Sequence, residues 1–412
     1  MKKAEGGTGV EETRMDEIGL LSRRNTDCAK WDSLGETFGR EDLLPLWVAD
    51  MDFKSPQCVR QALHRAVDQG VFGYYQIPDR YYESILRWER ERHNNPLQRE
   101  WLRTTSGVVS GLFHLVGALT NPGDAIMVQT PVYYPFYRII RHTGRQAVYQ
   151  PLVMEQGRYT VDLADFERKL AENDVKIFLL CSPHNPVGRV WSREELTGML
   201  DCCRRHGVQV VADEIHHDII LPGHTHIPAL SLWEGERKPI TFFSASKTFN
   251  LAGMKNSILV IPQKEQREKF DAFEKELGTG PGSTLDYVAV TAAFEEGAPW
   301  LETVLAEIQG NERLMREALA PFDGITVSPL EGTYLLWVDL GGMVSREGLH
   351  TFVQDQCGIA PDYGHWFFPE NEASPDTHIR LNLAAPRATI RRAADQITAA
   401  LQRIRGRSLP GI

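Results

Sequence analysis

The sequence contains no long hydrophobic run, and this argues against a membrane protein. None of its 412 residues lies in a stretch that approaches the roughly 18 consecutive apolar residues of a membrane-spanning helix. The polar N-terminus, from Met1 to Gly7, is not followed by the apolar core of a signal peptide. We therefore expect a cytoplasmic protein.

Basic clusters, paired cysteines and dinucleotide-binding glycines are missing as well. The formal net charge is −10 without a block of basic residues, which disfavours nucleic-acid binding as the main role. The six cysteines are scattered without C-x-x-C spacing, so we expect reduced thiols and no zinc or other metal site. No G-x-G-x-x-G motif occurs, so a Rossmann dehydrogenase is disfavoured.

Alternating helical and strand patterns between about residues 56 and 280 predict an α/β fold. Short apolar runs at 125–128, 177–180, 208–211 and 257–261 are separated by segments with helical spacing. This pattern is typical of a mostly parallel sheet covered by helices on both faces. A helical pattern at 285–320, interrupted by Pro299, precedes apolar runs that indicate a smaller α+β unit.

We predict four segments along the chain. These are a disordered polar leader at 1–14, an N-terminal arm at 15–55 that joins the smaller domain, a large cofactor-binding domain at 56–290, and a small C-terminal domain at 291–412. The apolar and aromatic run at 44–53 of the arm predicts firm packing and a first strand.

Four residues in a fixed order provide the functional groups needed to bind pyridoxal 5′-phosphate and an amino acid. Lys247, within the run SASKTFN, can form a Schiff base with the cofactor aldehyde. Asp213 ends a predicted strand, where a carboxylate can pair with the pyridine nitrogen. Asn185 can donate to the ring oxygen, and the guanidinium of Arg380 suits a substrate carboxylate.

Further residues complete the predicted site. The run SGVVSG, with Val108 and Val109, precedes a helix whose free N–H groups could bind the phosphate. Ser244 and Lys255 could add a hydroxyl and a cation, and Tyr133 could stack on the ring. Taken singly, each has an ordinary alternative: a solvated acid, an Asn-Pro turn, a core tyrosine or a surface arginine.

In the order Tyr133, Asn185, Asp213, Lys247 and Arg380, these residues resemble those of the fold-type I pyridoxal phosphate enzymes, the aspartate aminotransferase superfamily. The resemblance extends over nearly the whole chain from about residue 31, and within the superfamily it points to the MalY/PatB-type C–S lyases, or cystathionine β-lyases. It rests on the runs WVADMDF (47–53), PHNPVGRVW (183–191), DEIH (213–216) and KTFNLAG (247–253).

The resemblance implies a fold and further roles. The fold is α/β, with a mostly parallel seven-stranded sheet flanked by helices and a smaller α+β domain. His216 stands where many aminotransferases carry tyrosine, and Lys255 stands where many carry arginine; both are expected to bind the cofactor. Tyr74 is similar to the tyrosine that reaches the partner subunit's phosphate. The resemblance therefore implies a homodimer with shared sites, in which Tyr74 joins Lys247 in catalysis.

Three functions remain open at this level. The first is β-elimination of a thiol from an S-substituted L-cysteine, favoured by the motif that contains His216. The second is an aminotransferase that uses the same residues. The third is a non-catalytic regulator of this fold, which the intact Lys247 and the short, weakly basic N-terminal extension disfavour.

Overall fold

The structure is a computed structural model that describes residues 21–280, 282–370 and 377–407. The leader predicted at 1–14 lies outside the described residues. In chain order the strands are β1 Leu44–Pro45, β2 Leu102–Thr105, β3 Ala125–Thr130, β4 Gln146–Pro151, β5 Val153–Glu155, β6 Arg158–Thr160, β7 Val175–Cys181, β8 Gln209–Asp213, β9 Ile240–Phe243, β10 Ser257–Val260, β11 Thr326–Val327, β12 Leu335–Asp339, β13 Ile359–Ala360, β14 Asp362–Tyr363 and β15 His378–Asn382.

The α-helices of the described residues are α1 Ala29–Asp32, α2 Leu34–Phe38, α3 Gln57–Asp68, α4 Asp79–His93, α5 Val108–Leu119, α6 Pro135–His142, α7 Leu163–Glu172, α8 Arg193–Arg205, α9 Ala245–Thr248, α10 Lys264–Leu277, α11 Thr284–Glu296, α12 Ala298–Leu319 and α13 Arg387–Arg407. Short 3-10 turns at Arg99–Trp101, Ala229–Leu232, Ala252–Met254 and Gly364–Phe367, and a π-helical segment at Thr351–Gln356, join them. None of these helices is both long enough and apolar enough to cross a membrane.

A seven-stranded sheet forms the centre of the molecule, as predicted. Its strand order is β2-β10-β9-β8-β7-β3-β4, and all neighbours are parallel except at β10, which runs antiparallel to β2 and to β9. Strands β3, β7, β8 and β9 are buried on both faces because helices cover the sheet on each side. The α/β fold with a mostly parallel sheet is therefore confirmed.

Local sequence signals explain several helix boundaries. Ser192 and Glu195 form a capping box that starts α8, and Asp162 accepts the first free N–H groups of α7. Pro299 lies in the first turn of α12, where its missing N–H has no cost. The long helical pattern is thus two helices that meet at Gly297.

A second, four-stranded antiparallel sheet has the order β11-β12-β15-β14 and carries Arg380 on β15. The N-terminal arm reaches this region, since β1 pairs in parallel with β13. The predicted first strand is confined to β1, and the rest of 44–53 is irregular backbone held by one buried and one partly buried ion pair. Lys30 contacts Asp52 at 2.7 Å, and Arg23 contacts Asp50 at 2.7 Å. One apolar cluster joins residues of the arm and of both sheets, and the predicted domain boundaries stay a prediction.

Candidate active site

The carboxyl ends of four neighbouring strands bring the predicted residues to one edge of the sheet. Asp213 is the last residue of β8, and Asn185 lies in the turn that follows β7. Lys247 lies on α9, directly after β9, and Tyr133 follows β3. Because parallel strands end at the same edge, sequence positions more than 100 residues apart meet here.

Lys247 is held against the N-terminal arm. Its Nζ donates a hydrogen bond to the carbonyl oxygen of Ala49 at 2.6 Å, and the hydroxyl of Tyr334 donates to the same oxygen at 2.9 Å. Burial lowers the pKa of Lys247 to about 8, against the opposing influence of the Asp50 carboxylate. A substantial fraction of the amine is therefore uncharged near neutral pH, which favours a nucleophile or base.

Asp213 is a buried carboxyl group next to this amine. Burial raises the pKa of Asp213 to about 7, although the backbone N–H of Ile215 donates to its Oδ1 at 3.1 Å and Lys247 opposes the shift. A carboxyl group with this pKa is poorly stabilised as an anion by its own surroundings. A cation bound beside it would complete the site.

Arg380 occupies a buried position with several partners. It donates to Asn185 Oδ1 at 2.8 Å and to the carbonyl oxygen of Trp47 at 3.2 Å, and its Nη2 forms a close ion pair with Asp362. The guanidinium also lies over the ring of Phe367, 4.7 Å from its centroid. Since Asn185 Oδ1 accepts from Arg380, the amide NH2 group of Asn185 is the end that can donate to a ligand.

His216 and Tyr133 add aromatic groups to the same region. Burial lowers the pKa of His216 well below its usual value, helped by the positive charges of Lys247 and Arg380. The imidazole is therefore neutral, and among the described residues its Nδ1 has no hydrogen-bond partner. Burial raises the pKa of the Tyr133 phenol, so this side chain also stays neutral.

The predicted phosphate-binding residues lie on three different segments of the chain. Val108 and Val109 form the first turn of α5, after Gly107, whose φ of 101° is suited to glycine. The hydroxyl of Ser244 is buried, donates to the carbonyl oxygen of Asn256 at 2.6 Å and caps α9. Lys255 is exposed and adopts a left-handed backbone conformation with φ 50°.

Tyr74 does not join the buried cluster within one chain. It lies between α3 and α4, and its side chain is fully exposed. Together with Phe72 and Tyr75 it lines an open groove that Ser283 and Tyr287 border on the other side.

Sequence reasoning missed three residues near the lysine and the arginine: Asp50, Tyr334 and Asp362. Asp50 lies within a motif that was singled out, but no chemical signal separated it from its neighbours. Asp362 interrupts the apolar run 359–363, and an acid in such a run is a signal that could have been used.

The family model described as aminotransferase class I and II matches residues 41–397. The chain belongs to this family. Cystathionine beta-lyase PatB from Bacillus subtilis (strain 168) is 37% identical over 385 residues, which cover 92% of this chain and 98% of that protein. Protein MalY from Escherichia coli (strain K12) is 30% identical, with 94% and 98% covered. The resemblance inferred from the motifs is therefore confirmed.

Solved structures of family members have the same fold. Cystalysin from Treponema denticola, which contains a pyridoxal 5′-phosphate cofactor, superposes with a TM-score of 0.88 at 33% identity, covering 94% of this chain and 99% of that chain. The PLP-bound C-S lyase from Staphylococcus hominis has a TM-score of 0.85 at 30% identity, covering 93% and 97%.

The residues of this chain fit the same cofactor on chemical grounds. The buried carboxyl of Asp213 needs a cation such as a protonated ring nitrogen, and the free amide end of Asn185 suits a ring oxygen. The amine of Lys247, whose pKa is lowered to about 8, suits attack on an aldehyde.

Proposed function

We propose that this chain is a pyridoxal 5′-phosphate-dependent carbon–sulfur β-lyase that acts on L-cystathionine or related S-substituted L-cysteines. The observation that carries the proposal is the position of Lys247 and the buried Asp213 at the carboxyl ends of the adjacent parallel strands β9 and β8, where the two groups interact electrostatically. This pair occurs in a chain that matches PatB over 92% of its length.

When bound, pyridoxal 5′-phosphate supplies an aldehyde for amine attachment and an electron-poor ring that withdraws electrons from the substrate Cα. Asp213 holds a proton at the ring nitrogen, and Asn185 donates to the ring oxygen. The amine of Lys247 would take the proton from the substrate Cα as a general base. Arg380 binds the substrate carboxylate and orients the Cα–H bond towards that amine.

Besides the substrate, the balanced reaction consumes only water. Loss of the Cα proton to Lys247 is followed by departure of the sulfur from Cβ, and the thiolate leaves with a proton as a thiol. Water then releases the remaining three-carbon unit as pyruvate and the amino group as ammonia. Because the sulfur group at Cβ is a good leaving group, elimination of the thiol is favoured over reprotonation at a different carbon.

The test is pyruvate release by the purified, cofactor-loaded protein from L-cystathionine and from L-cysteine, without any 2-oxo acid. We expect repeated turnovers, with ammonia and free thiol in amounts equal to pyruvate. Lys247→Ala should lower turnover by at least about 10²-fold to 10⁴-fold, the usual contribution of a general base. Lys264→Ala, which removes an exposed lysine on α10, is the matched control and should keep full activity.

An aminotransferase is the competing outcome, because the family model that matches the chain is described as aminotransferase class I and II. Amino-group transfer that appears only after a 2-oxo acid is added, without pyruvate from cystathionine, would establish it and overturn the lyase. Retained pyruvate release by Lys247→Ala would overturn the mechanism. A protein that binds the cofactor but carries out neither reaction would instead support a non-catalytic regulator.

We further propose that the protein is a cytoplasmic homodimer in which each site is completed by the other subunit. Phe72 and Tyr74, with 66% and 109% of their surface exposed, are unusual as surface residues of a monomer. They line a groove beside α11, and a second copy of this chain would cover them. Tyr74 would then reach the partner's cofactor phosphate.

A further inference from the structure

Asp362 is an acid placed against the arginine that the proposed function assigns to the substrate carboxylate. Strand β14 pairs with β15 so that Asp362 lies directly opposite Arg380, and the two side chains form a close ion pair. Both are almost fully buried, with 2% and 3% of their surface exposed. The acid and the incoming substrate would therefore bind the same guanidinium.

The remaining hydrogen-bonding capacity of Arg380 is limited. Its Nη1 donates to Asn185, and its Nη2 is shared between Asp362 and the carbonyl oxygen of Trp47. Its Nε has no hydrogen-bond partner among the described residues. A bidentate carboxylate thus has to share the guanidinium with Asp362 or take its place.

The charges around Asp362 decide what happens when a second carboxylate arrives. Among the described residues, the titratable and charged groups that face it are Arg380 on β15 and the phenols of Tyr133 and Tyr134, which follow β3. Both phenols stay neutral, because burial raises the pKa of each. Arg380 is therefore the positive charge available to two carboxylates, and two anions at one buried cation repel each other.

We propose that Asp362 is a positioning residue that couples binding of the substrate carboxylate at Arg380 to uptake of one proton by Asp362. In the free protein the ionised Asp362 neutralises the buried guanidinium. On binding, the substrate carboxylate replaces it as the counter-ion, and Asp362 accepts a proton from solvent and remains as a neutral hydrogen-bonding group. Charge is conserved, because one anion enters with one proton. This inference rests on the proposed role of Arg380.

The pH dependence follows from the state of the free protein. Burial raises the pKa of Asp362 to about 6, although Arg380 opposes the shift. Below that pH Asp362 already carries its proton, and a carboxylate binds without further cost. Above it, each binding event must take up a proton, so affinity falls by on the order of tenfold per pH unit.

The experiment uses the cofactor-loaded protein and 3-(methylthio)propanoate, which has the carboxylate and thioether of a substrate but no amine. Calorimetric titration in buffers of different ionisation enthalpy measures both the dissociation constant and the protons taken up. At about pH 7.5 we expect the wild-type protein to take up nearly one proton for each carboxylate bound. In Asp362→Asn we expect no proton uptake, an affinity independent of pH, and binding about thirtyfold tighter than wild type at this pH, since pH 7.5 lies about 1.5 units above the pKa of Asp362.

Three results would overturn the proposal: no proton uptake by the wild-type protein, uptake that persists in Asp362→Asn, or weakened binding in that variant at every pH. If the variant does not fold, the absence of proton uptake by the wild-type protein would still overturn the proposal. Asp355→Asn, which removes an exposed carboxylate, is the matched control and should behave as wild type. Arg380→Gln tests the underlying assignment, since unchanged binding there would show that Arg380 is not the carboxylate site. Because the probe has no amine, these outcomes do not depend on whether the enzyme is a lyase or an aminotransferase.

Discussion

The amine of Lys247 donates a hydrogen bond to the carbonyl oxygen of Ala49 at 2.6 Å, although the two residues are 198 positions apart. The contact places the N-terminal arm directly against the reactive amine. Asn250, three residues after Lys247, reinforces it by donating to the carbonyl oxygens of Met51 and Phe53, both at 2.9 Å. The arm is therefore part of the proposed active site.

We expect cofactor capture by the cofactor-free protein to accelerate with pH, with an inflection near pH 8 and a plateau above it. The reason is that burial lowers the pKa of Lys247 to about 8, and only the unprotonated amine attacks an aldehyde. Asp213→Asn should shift the profile to lower pH, because the Asp213 carboxylate raises the pKa of that amine. Stopped-flow absorbance during addition of pyridoxal 5′-phosphate measures the rate.

Lys264→Ala is the control for this profile, since Lys264 lies on the surface and should leave it unchanged. An inflection close to about 10.4, the pKa of an unperturbed lysine, would contradict the predicted environment of Lys247.

The turn that carries Asn185 depends on Gly188, and a methyl group there should be costly. Gly188 has φ 74°, and an added Cβ would lie 2.8 Å from Leu330 Cδ1. Gly123 is a matched control, with φ 91° and open space around the added carbon. Both alanine variants incur backbone strain of about 1–2 kcal/mol, but only Gly188→Ala adds a packing clash of about 1–3 kcal/mol.

Urea unfolding of Gly188→Ala and Gly123→Ala measures the difference between them. Gly188→Ala should also bind pyridoxal 5′-phosphate more weakly, because Asn185 lies in the same turn. If the two variants lose equal amounts of unfolding free energy, the turn around Gly188 can rearrange to accommodate the methyl group.

Much of the sheet and its active edge could be predicted from the sequence. The apolar runs at 125–128, 177–180 and 208–211 were long enough to mark buried strands. The rule that ligands bind at the carboxyl ends of parallel strands then placed Asn185 and Asp213 at one edge of the sheet. These predictions succeeded because each depends on local pattern or on sheet geometry.

Pairings between distant segments could not be predicted. Nothing local to β1 indicates its pairing with β13, and the apolar run that became β10 does not specify its antiparallel direction. The ion pair of Asp362 with Arg380 depends on the register of β14 against β15. Such contacts are set by the packing of the whole chain. The roles assigned to Val108, Val109, Ser244 and Lys255 stay predictions.

Asp218 should be essential for stability, because it ties the lysine segment to helix α4. Its carboxylate accepts hydrogen bonds from Trp88 at 3.0 Å and Thr248 at 2.8 Å, and it contacts His93 at 2.8 Å. Asp218→Asn removes a counter-ion of the buried, positively charged His217, so we expect a loss of about 3–5 kcal/mol in unfolding free energy. Asp355→Asn, at an exposed site, should change it little. Urea titration measures both.

The same cluster predicts how stability depends on pH. Burial lowers the pKa of His217, but the carboxylates of Asp218 and Glu89 outweigh it and raise the pKa to about 10. Because the folded-state pKa of His217 lies above the unfolded value of about 6.5, protonated His217 contributes its full stabilisation below that pH. This contribution is lost as the pH rises through 10. The wild-type unfolding free energy should therefore decline across this range. In Asp218→Asn the decline should be smaller, and an equal decline would show that His217 is not responsible.

Mixing two inactive variants should restore activity if sites are shared between subunits. Lys247→Ala removes the amine, and Tyr74→Ala removes an exposed side chain that we propose acts across the dimer interface. In a mixed dimer, the subunit that keeps Lys247 faces the partner that keeps Tyr74, so one complete site forms. Random exchange of subunits should thus restore about a quarter of the wild-type sites.

The measurement is pyruvate release after the two variants are unfolded and refolded together, with each variant refolded alone as the control. If the mixture stays as inactive as its components while light scattering reports dimers, Tyr74 does not act on the partner's site. If Tyr74→Ala alone is fully active, the exposure of Tyr74 has another cause. Recovery in the mixture, in contrast, requires that Lys247 of one chain and Tyr74 of the other act at the same site.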